Sequence, residues 1–172
     1  SRIGTNRMIG EKIMKTQDKR NPLGKFRVIF YVLVVVLFFI VNFSNAAYAG
    51  ERLAVSVSIA NIRSGPGTKY DTLWQVYKYY PIKVIKKSGS WILFVDFEGD
   101  KGWVKNTLVR KIPSVITIKE DCNIRSGPGT KYSIVFKTER GVAFKVIKEK
   151  GRWINVQHAD GDKGWIYKPL VW

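Results

Sequence analysis

Hydrophobic and polar residues are arranged along this chain in two different ways, and the change falls near residue 50. Val28 to Val41 is an unbroken apolar run of 14 residues, preceded by Lys15, Lys19, Arg20, Lys25 and Arg27. As a helix such a run rises about 21 Å, short of the roughly 30 Å hydrocarbon core of a bilayer. Asn42, Ser44 and Asn45 follow, and then Ala47-Tyr48-Ala49. A basic segment, an apolar run and small residues at alternate positions predict a secretory signal peptide over residues 1–49, with its apolar region at 28–41 and cleavage before Gly50. The competing expectation is an uncleaved anchor, which would be the chain's only contact with a membrane.

Past residue 50 the period becomes two. Leu53, Val55, Val57 and Ile59 alternate with Ala54, Ser56 and Ser58, the pattern of a strand with one buried face. Ala60 and Ile62 then carry the apolar positions one residue out of phase, which predicts a β-bulge. Ile116, Ile118, Cys122 and Ile124, further on, keep a single phase. Ile82, Val84 and Ile85 lead to Ser88-Gly89-Ser90, and Trp91, Leu93 and Val95 lead to Glu98-Gly99-Asp100-Lys101-Gly102, so two hairpins are expected. Gly65-Pro66-Gly67-Thr68 predicts a type II turn, with Pro fixing a negative φ and Gly67 supplying a positive one. No helix of ordinary length is visible.

These signals occur twice. Asn61 to Tyr70 recurs residue for residue as Asn123 to Tyr132, and the offset of 62 holds without a gap to the end of the chain. Over residues 61–110 against 123–172, 24 of 50 positions are identical, so the chain carries a tandem duplication of a unit of about 60 residues. The expected domains are 50–111 and 112–172. Five or so short strands with glycine turns in each describe an all-β protein of two small, strongly bent β-barrels behind an N-terminal apolar helix.

The ordered set Asn61, Arg63, Gly65, Pro66, Gly67, Tyr70, then Trp91 and the closing Gly102-Trp103, resembles the bacterial SH3 domain family. The second unit carries the same set as Asn123, Arg125, Gly127, Pro128, Gly129, Tyr132, Trp153, Gly164 and Trp165. The resemblance implies an SH3-like barrel in each half, with the Asn-Ile-Arg strand entering a long loop and Gly-Trp in a late strand. It implies binding modules, often joined to cell-wall hydrolases, with peptidoglycan among the ligands. With both units assigned, no segment is left for a catalytic domain, and the expectation is a protein that is not an enzyme.

Composition narrows the chemistry further. Residues 50–172 hold 22 basic and 11 acidic side chains, a surplus that either keeps the units soluble or holds them against anionic envelope polymers. Nucleic acid fits the charge but not the expected export. The lone Cys122 excludes an intramolecular disulfide, and with the lone His158 it would have to form a thiol-peptidase pair. Their counterparts in the first unit are Ala60 and Asp96, so Cys122 is read as a core residue and His158 as a surface one. Gly65-Pro66-Gly67 lacks the third glycine and the helix of a dinucleotide loop. Asp96, Glu98 and Asp100 open like a calcium loop but lack its closing Glu, and are read as a solvated hairpin tip. No metal and no cofactor is expected.

All six Trp lie beyond residue 50; Trp91, Trp103, Trp153 and Trp165 are expected in the cores, since units this small need large side chains. Arg63 with Tyr70 and Arg125 with Tyr132 are the expected ligand contacts, against a purely bracing role for the two Arg. Tyr77, Tyr79 and Tyr80 of the first unit have Glu139, Gly141 and Val142 as counterparts and form a possible partner surface. The protein is therefore expected in the periplasm or cell envelope, binding peptidoglycan or another envelope polymer. The alternative is an adaptor for a periplasmic protein.

Overall fold

A computed structural model describes residues 50–172. The expected signal segment, 1–49, lies outside the described residues. The first repeat contains β1 (Arg52–Val55), β2 (Ile59–Arg63), β3 (Thr72–Tyr77), β4 (Pro81–Ser88), β5 (Trp91–Val95), β6 (Lys101–Lys105) and β7 (Val109–Arg110). They form one antiparallel sheet in the order β3-β2-β6-β5-β4-β1-β7. The second contains β8 (Ser114–Ile116), β9 (Cys122–Arg125), β10 (Ile134–Thr138), β11 (Ala143–Lys150), β12 (Trp153–Gln157) and β13 (Lys163–Tyr167), ordered β10-β9-β13-β12-β11-β8. An isolated bridge between Thr117 and Val171 stands where β1 meets β7 in the first. The only helical turns among the described residues are Asn106–Leu108 and Lys168–Leu170.

The phase change after Ile59 is resolved by a break rather than a bulge. Ser56-Val57-Ser58 leaves the strand, and the chain divides into β1, paired with β4 and β7, and β2, paired with β3 and β6. Each half then needs only its own phase. Bulges occur elsewhere, at Leu73 and Ile85, and at their counterparts Val135 and Ile147. The extra residue bends the strand and turns its side chain out: Leu73, Val135 and Ile147 are all exposed.

Each sheet wraps a separate core. The first buries Leu53, Val55, Ala60, Ile62, Val76, Ile82, Val84, Ile92, Phe94, Val104 and Val109; the second buries Cys122, Ile124, Phe144, Ile154, Val156 and Ile166. The tryptophans correct the sequence reading. Trp91, Trp103 and Trp153 are only half-buried, and of the four just Trp165 is buried. In β5 it is Ile92 and Phe94 that point inward, so Trp91, Leu93 and Val95 stand on the outer face.

The turn at Gly65 also departs from expectation. Gly67 does not take a positive φ, and its N–H donates to Gly65 O at 2.9 Å, a three-residue turn centred on Pro66. The requirement at Gly65 is space, because a Cβ there would fall on the Tyr70 ring, as one on Gly127 would fall on Tyr132. Gly102 and Gly164 answer the same need, since a Cβ would collide with Ile62 or Ile124. That clearance lets β2 and β6 cross closely, in register only at Arg63 and Trp103, and lets β9 and β13 cross at Arg125 and Trp165.

Candidate functional site

The duplicated loop is held by its arginine. Arg63 Nη1 donates to Tyr70 O at 2.7 Å and to Thr68 O at 3.3 Å; Arg125 Nη1 does the same to Tyr132 O at 2.8 Å and Thr130 O at 3.1 Å. Charge-assisted bonds of this kind are stronger than neutral ones, and they fix the loop from inside. Ser64 N–H to Asp71 O and Ser126 N–H to Ser133 O close its base. The Arg and Tyr expected to act together are thus brought together through the tyrosine carbonyl, with the guanidinium engaged as a brace. The phenol rings lie over Gly65 and Gly127, each 37% exposed, with Lys69 Nζ at 5.4 Å and Lys131 Nζ at 5.6 Å from the ring centres.

Beside the loop, the outer face of each sheet presents Trp103 or Trp165, with Lys86 or Lys148 above the ring at 5.8 and 5.6 Å. Past their single register pair the crossing strands splay. In the second repeat the opening is a groove of about 570 Å³ whose lining includes Arg125, Gly129, Thr130, Trp153, Tyr167 and Leu170. Alternation alone did not disclose it, because its walls come from β9, β12, β13 and a loop distant from one another in sequence.

The three tyrosines of the expected partner surface separate. Tyr77 is 63% exposed on the edge strand β3, opposite Ile59. Tyr79 holds φ at 72°, a left-handed conformation that a bulky residue rarely adopts, at the position where the second repeat has Gly141 with φ at 83°. Tyr80 is half-buried against the core, and its hydroxyl donates to Asp96 Oδ2 at 2.9 Å. Burial, and then the Asp96 carboxylate, push the Tyr80 phenol well above its ordinary pKa.

Asp96 is accordingly no part of a solvated tip. It is 6% exposed and accepts from Glu98 N–H at 2.9 Å and Asp100 N–H at 3.0 Å as well as from Tyr80, which organises the hairpin turn. In the second repeat His158 takes its place and pairs through Nδ1 with Asp160 at 2.8 Å. The backbone N–H of Asp162, followed by His158, lowers the Asp160 pKa. Cys122 is buried, its thiol donates to Lys119 O at 3.1 Å, and burial raises its pKa.

Known proteins resemble this chain in sequence. The bacterial SH3 domain family matches residues 56–111 and again residues 119–172. YrvJ of Bacillus subtilis (strain 168), named as an N-acetylmuramoyl-L-alanine amidase, is 28% identical over 157 residues, 83% of this chain and 30% of that protein. LytH of Staphylococcus epidermidis, named as a cell wall amidase, is 48% identical over 52 residues, 30% of this chain and 18% of that protein. The chain thus spans less than a third of the length of these relatives. An NlpC/P60 family protein from Bacillus cereus ATCC 10987 superposes with a TM-score of 0.34 at 15% identity, over 71% of this chain and 56% of that one. That score is too low to add to the sequence matches. The expectation of a protein that is not an enzyme is overturned by its relatives, both named as amidases. With the family matched across both repeats, the chain belongs to the bacterial SH3 domain family.

Proposed function

We propose that the two repeats are SH3-like barrels, at 50–111 and 112–172, which bind peptidoglycan and hold the protein at the cell wall after export behind the signal segment 1–49. One observation carries this reading. Asn61 to Tyr70 and Asn123 to Tyr132 are identical, while the ten residues after each loop share no identity, and both loops present the same braced tyrosine ring at the same exposure. A duplicated chain that has drifted next to the loop but not within it carries the pattern that a ligand shared by both loops would leave, beyond what the brace alone requires of the exposed tyrosine rings. The amidase names of the relatives point to the wall as the place of that ligand.

Two weak sites on one polymer make the second contact intramolecular, which raises avidity by about 10²-fold or more. Sedimentation of the full chain with purified peptidoglycan sacculi, at low and raised salt, tests the reading. Pelleting that resists salt and falls about tenfold or more in a Tyr70→Ala, Tyr132→Ala variant of unchanged circular dichroism is expected. Pelleting that vanishes with salt in both proteins would assign the effect to the basic surplus alone and refute specific wall binding.

A second reading, an adaptor for a protein partner, has its own observation. Ile59 and Tyr77 stand exposed opposite one another on β2 and the edge strand β3, and Leu73 is exposed at the other end of β3. An apolar cluster on an unpaired edge is a place where another chain adds.

A further inference from the structure

The turns that lead into β4 and β11 are built alike and filled differently. Tyr79 and Gly141 share a left-handed backbone, with φ at 72° and 83°, so the residue after each is presented in the same way. In the first repeat that residue is Tyr80. Its ring packs on the core, meets the Phe97 ring edge-on at 6.2 Å between centres, and its hydroxyl donates to Asp96 Oδ2. In the second repeat all three members have changed: Val142 stands for Tyr80, Ala159 for Phe97 and His158 for Asp96.

Nothing in the second core makes good the lost ring. Phe144 replaces Ile82, but Val156 replaces Phe94, so that exchange moves one ring across the core without adding any, and Phe136 is smaller than its counterpart Trp74. What remains is a cavity of about 200 Å³ whose lining includes Phe136, Val142, Phe144, His158, Asp160 and Asp162. A space of about 150 Å³ is enough to take up a benzene ring. The polar side of the cavity also corresponds. His158, Asp160 and Asp162 are the counterparts of Asp96, Glu98 and Asp100, the three carboxylates whose charges act on the Tyr80 phenol. His158 Nδ1 pairs with Asp160 at 2.8 Å, and a neutral imidazole that donates there keeps Nε2 as an acceptor. The second repeat thus keeps room for the ring and acceptors for its hydroxyl, and lacks only the tyrosine.

We propose that this cavity binds a phenol from outside the chain, its ring against Phe136 and Val142 and its hydroxyl donated to the acceptors of His158, Asp160 and Asp162. The first repeat then shows the bound state, with its own side chain as the ligand, and its seat is closed to any other. The source is either a small free phenol or the tyrosine side chain of another protein. The proposal does not depend on wall binding, because the cavity lies at the Thr138 end of β10, away from the glycine loop that precedes Ile134.

Nuclear magnetic resonance titration of the full chain with 4-methylphenol, toluene and the blocked peptide acetyl-Ala-Tyr-Ala-amide tests it. With 4-methylphenol, saturable shifts are expected at Phe136, Val142 and His158, with nuclear Overhauser contacts from its ring to the Val142 methyls. Toluene should bind about fivefold more weakly for want of one hydrogen bond. A peptide that binds as tightly as 4-methylphenol identifies a protein tyrosine as the source, and binding of 4-methylphenol alone identifies a small molecule. A Val142→Tyr, His158→Asp variant carries the first repeat's own ring and acceptor and should lose about tenfold or more in affinity with its circular dichroism unchanged. If that variant does not fold, the contacts in the wild-type chain decide alone. No saturation below about 10 mM, contacts that map to other side chains, equal affinity for toluene, or undiminished binding by the folded double variant overturns the proposal.

Discussion

The glycine loop is the same in both repeats, whereas the cores behind it are not. Val55, Val76, Val84 and Val109 of the first are buried, and their counterparts in the second are Thr117, Thr138, Val146 and Val171. Two of these are polar, and the two valines are only partly covered. Thr117 is satisfied, donating to Glu139 O and accepting from Val142 N–H at 3.0 Å, but it adds no apolar surface. The second core thus holds the same loop on less hydrophobic burial. A loop locked by its own arginine, glycines and tyrosine needs little from the sheet beneath it, which leaves that sheet free to vary.

The largest effect is expected from the central phenylalanines. Phe144→Ala should cost about 3–5 kcal/mol, enough to unfold the second repeat alone, while Phe94→Ala costs the same from a larger reserve. Hydrogen exchange read strand by strand checks this, with β12 and β13 exchanging before β5 and β6 in the wild type. The opposite order, or loss of both repeats together in Phe144→Ala, would break the comparison.

The hairpin tips come next. Asp96→Ala strips three donors of their acceptor and should cost about 1–3 kcal/mol, whereas His158→Ala at the matching position should stay within about 0.5 kcal/mol in denaturant unfolding. The same carboxylate helps hold the Tyr80 phenol neutral. A raised phenol pKa contributes stability that is present below the ordinary value of 10.0 and is lost as pH climbs through the raised one. Tyr80 should therefore ionise last in an alkaline absorbance titration, and earlier in Asp96→Asn.

The smallest effect sharpens the contrast at residue 79. Tyr79→Gly installs the residue that the second repeat uses at its left-handed Gly141 and should stabilise the first repeat by up to about 1 kcal/mol in thermal unfolding. If it also abolishes capture of a partner protein, the strain is retained for binding; an unchanged stability would show that the tyrosine side chain already offsets its backbone.

Much of this was legible in the sequence. Alternating residues and glycine turns are local signals, so the strands, the duplication and the Gly-Trp element could be read directly. Trp-Ile-Leu-Phe-Val of β5 could not be oriented, because both of its phases are apolar and only the sheet's curvature chooses Ile92 and Phe94. Gly67 matched a turn type by identity, but the neighbouring glycine was kept for the volume of a ring five residues away. The groove was hidden for a related reason. Arg125 and Tyr167 lie far apart in sequence, and they line one groove only because two strands cross and part.

One pairing also fixes how these units bear load. In the first repeat the strand that enters and the strand that leaves lie antiparallel, Ala54 beside Arg110 and Val55 beside Val109, and Ile116 exchanges backbone hydrogen bonds with Trp172 in the second. Tension drawn through the two ends of a repeat therefore falls on one pair of bonds at a time and peels the strands apart like a zipper, rather than shearing many bonds together. Forced opening follows the unfolding rate rather than the equilibrium stability. A repeat pulled by its two ends should therefore open at a lower force than one whose terminal strands are sheared, which force spectroscopy of the full chain checks.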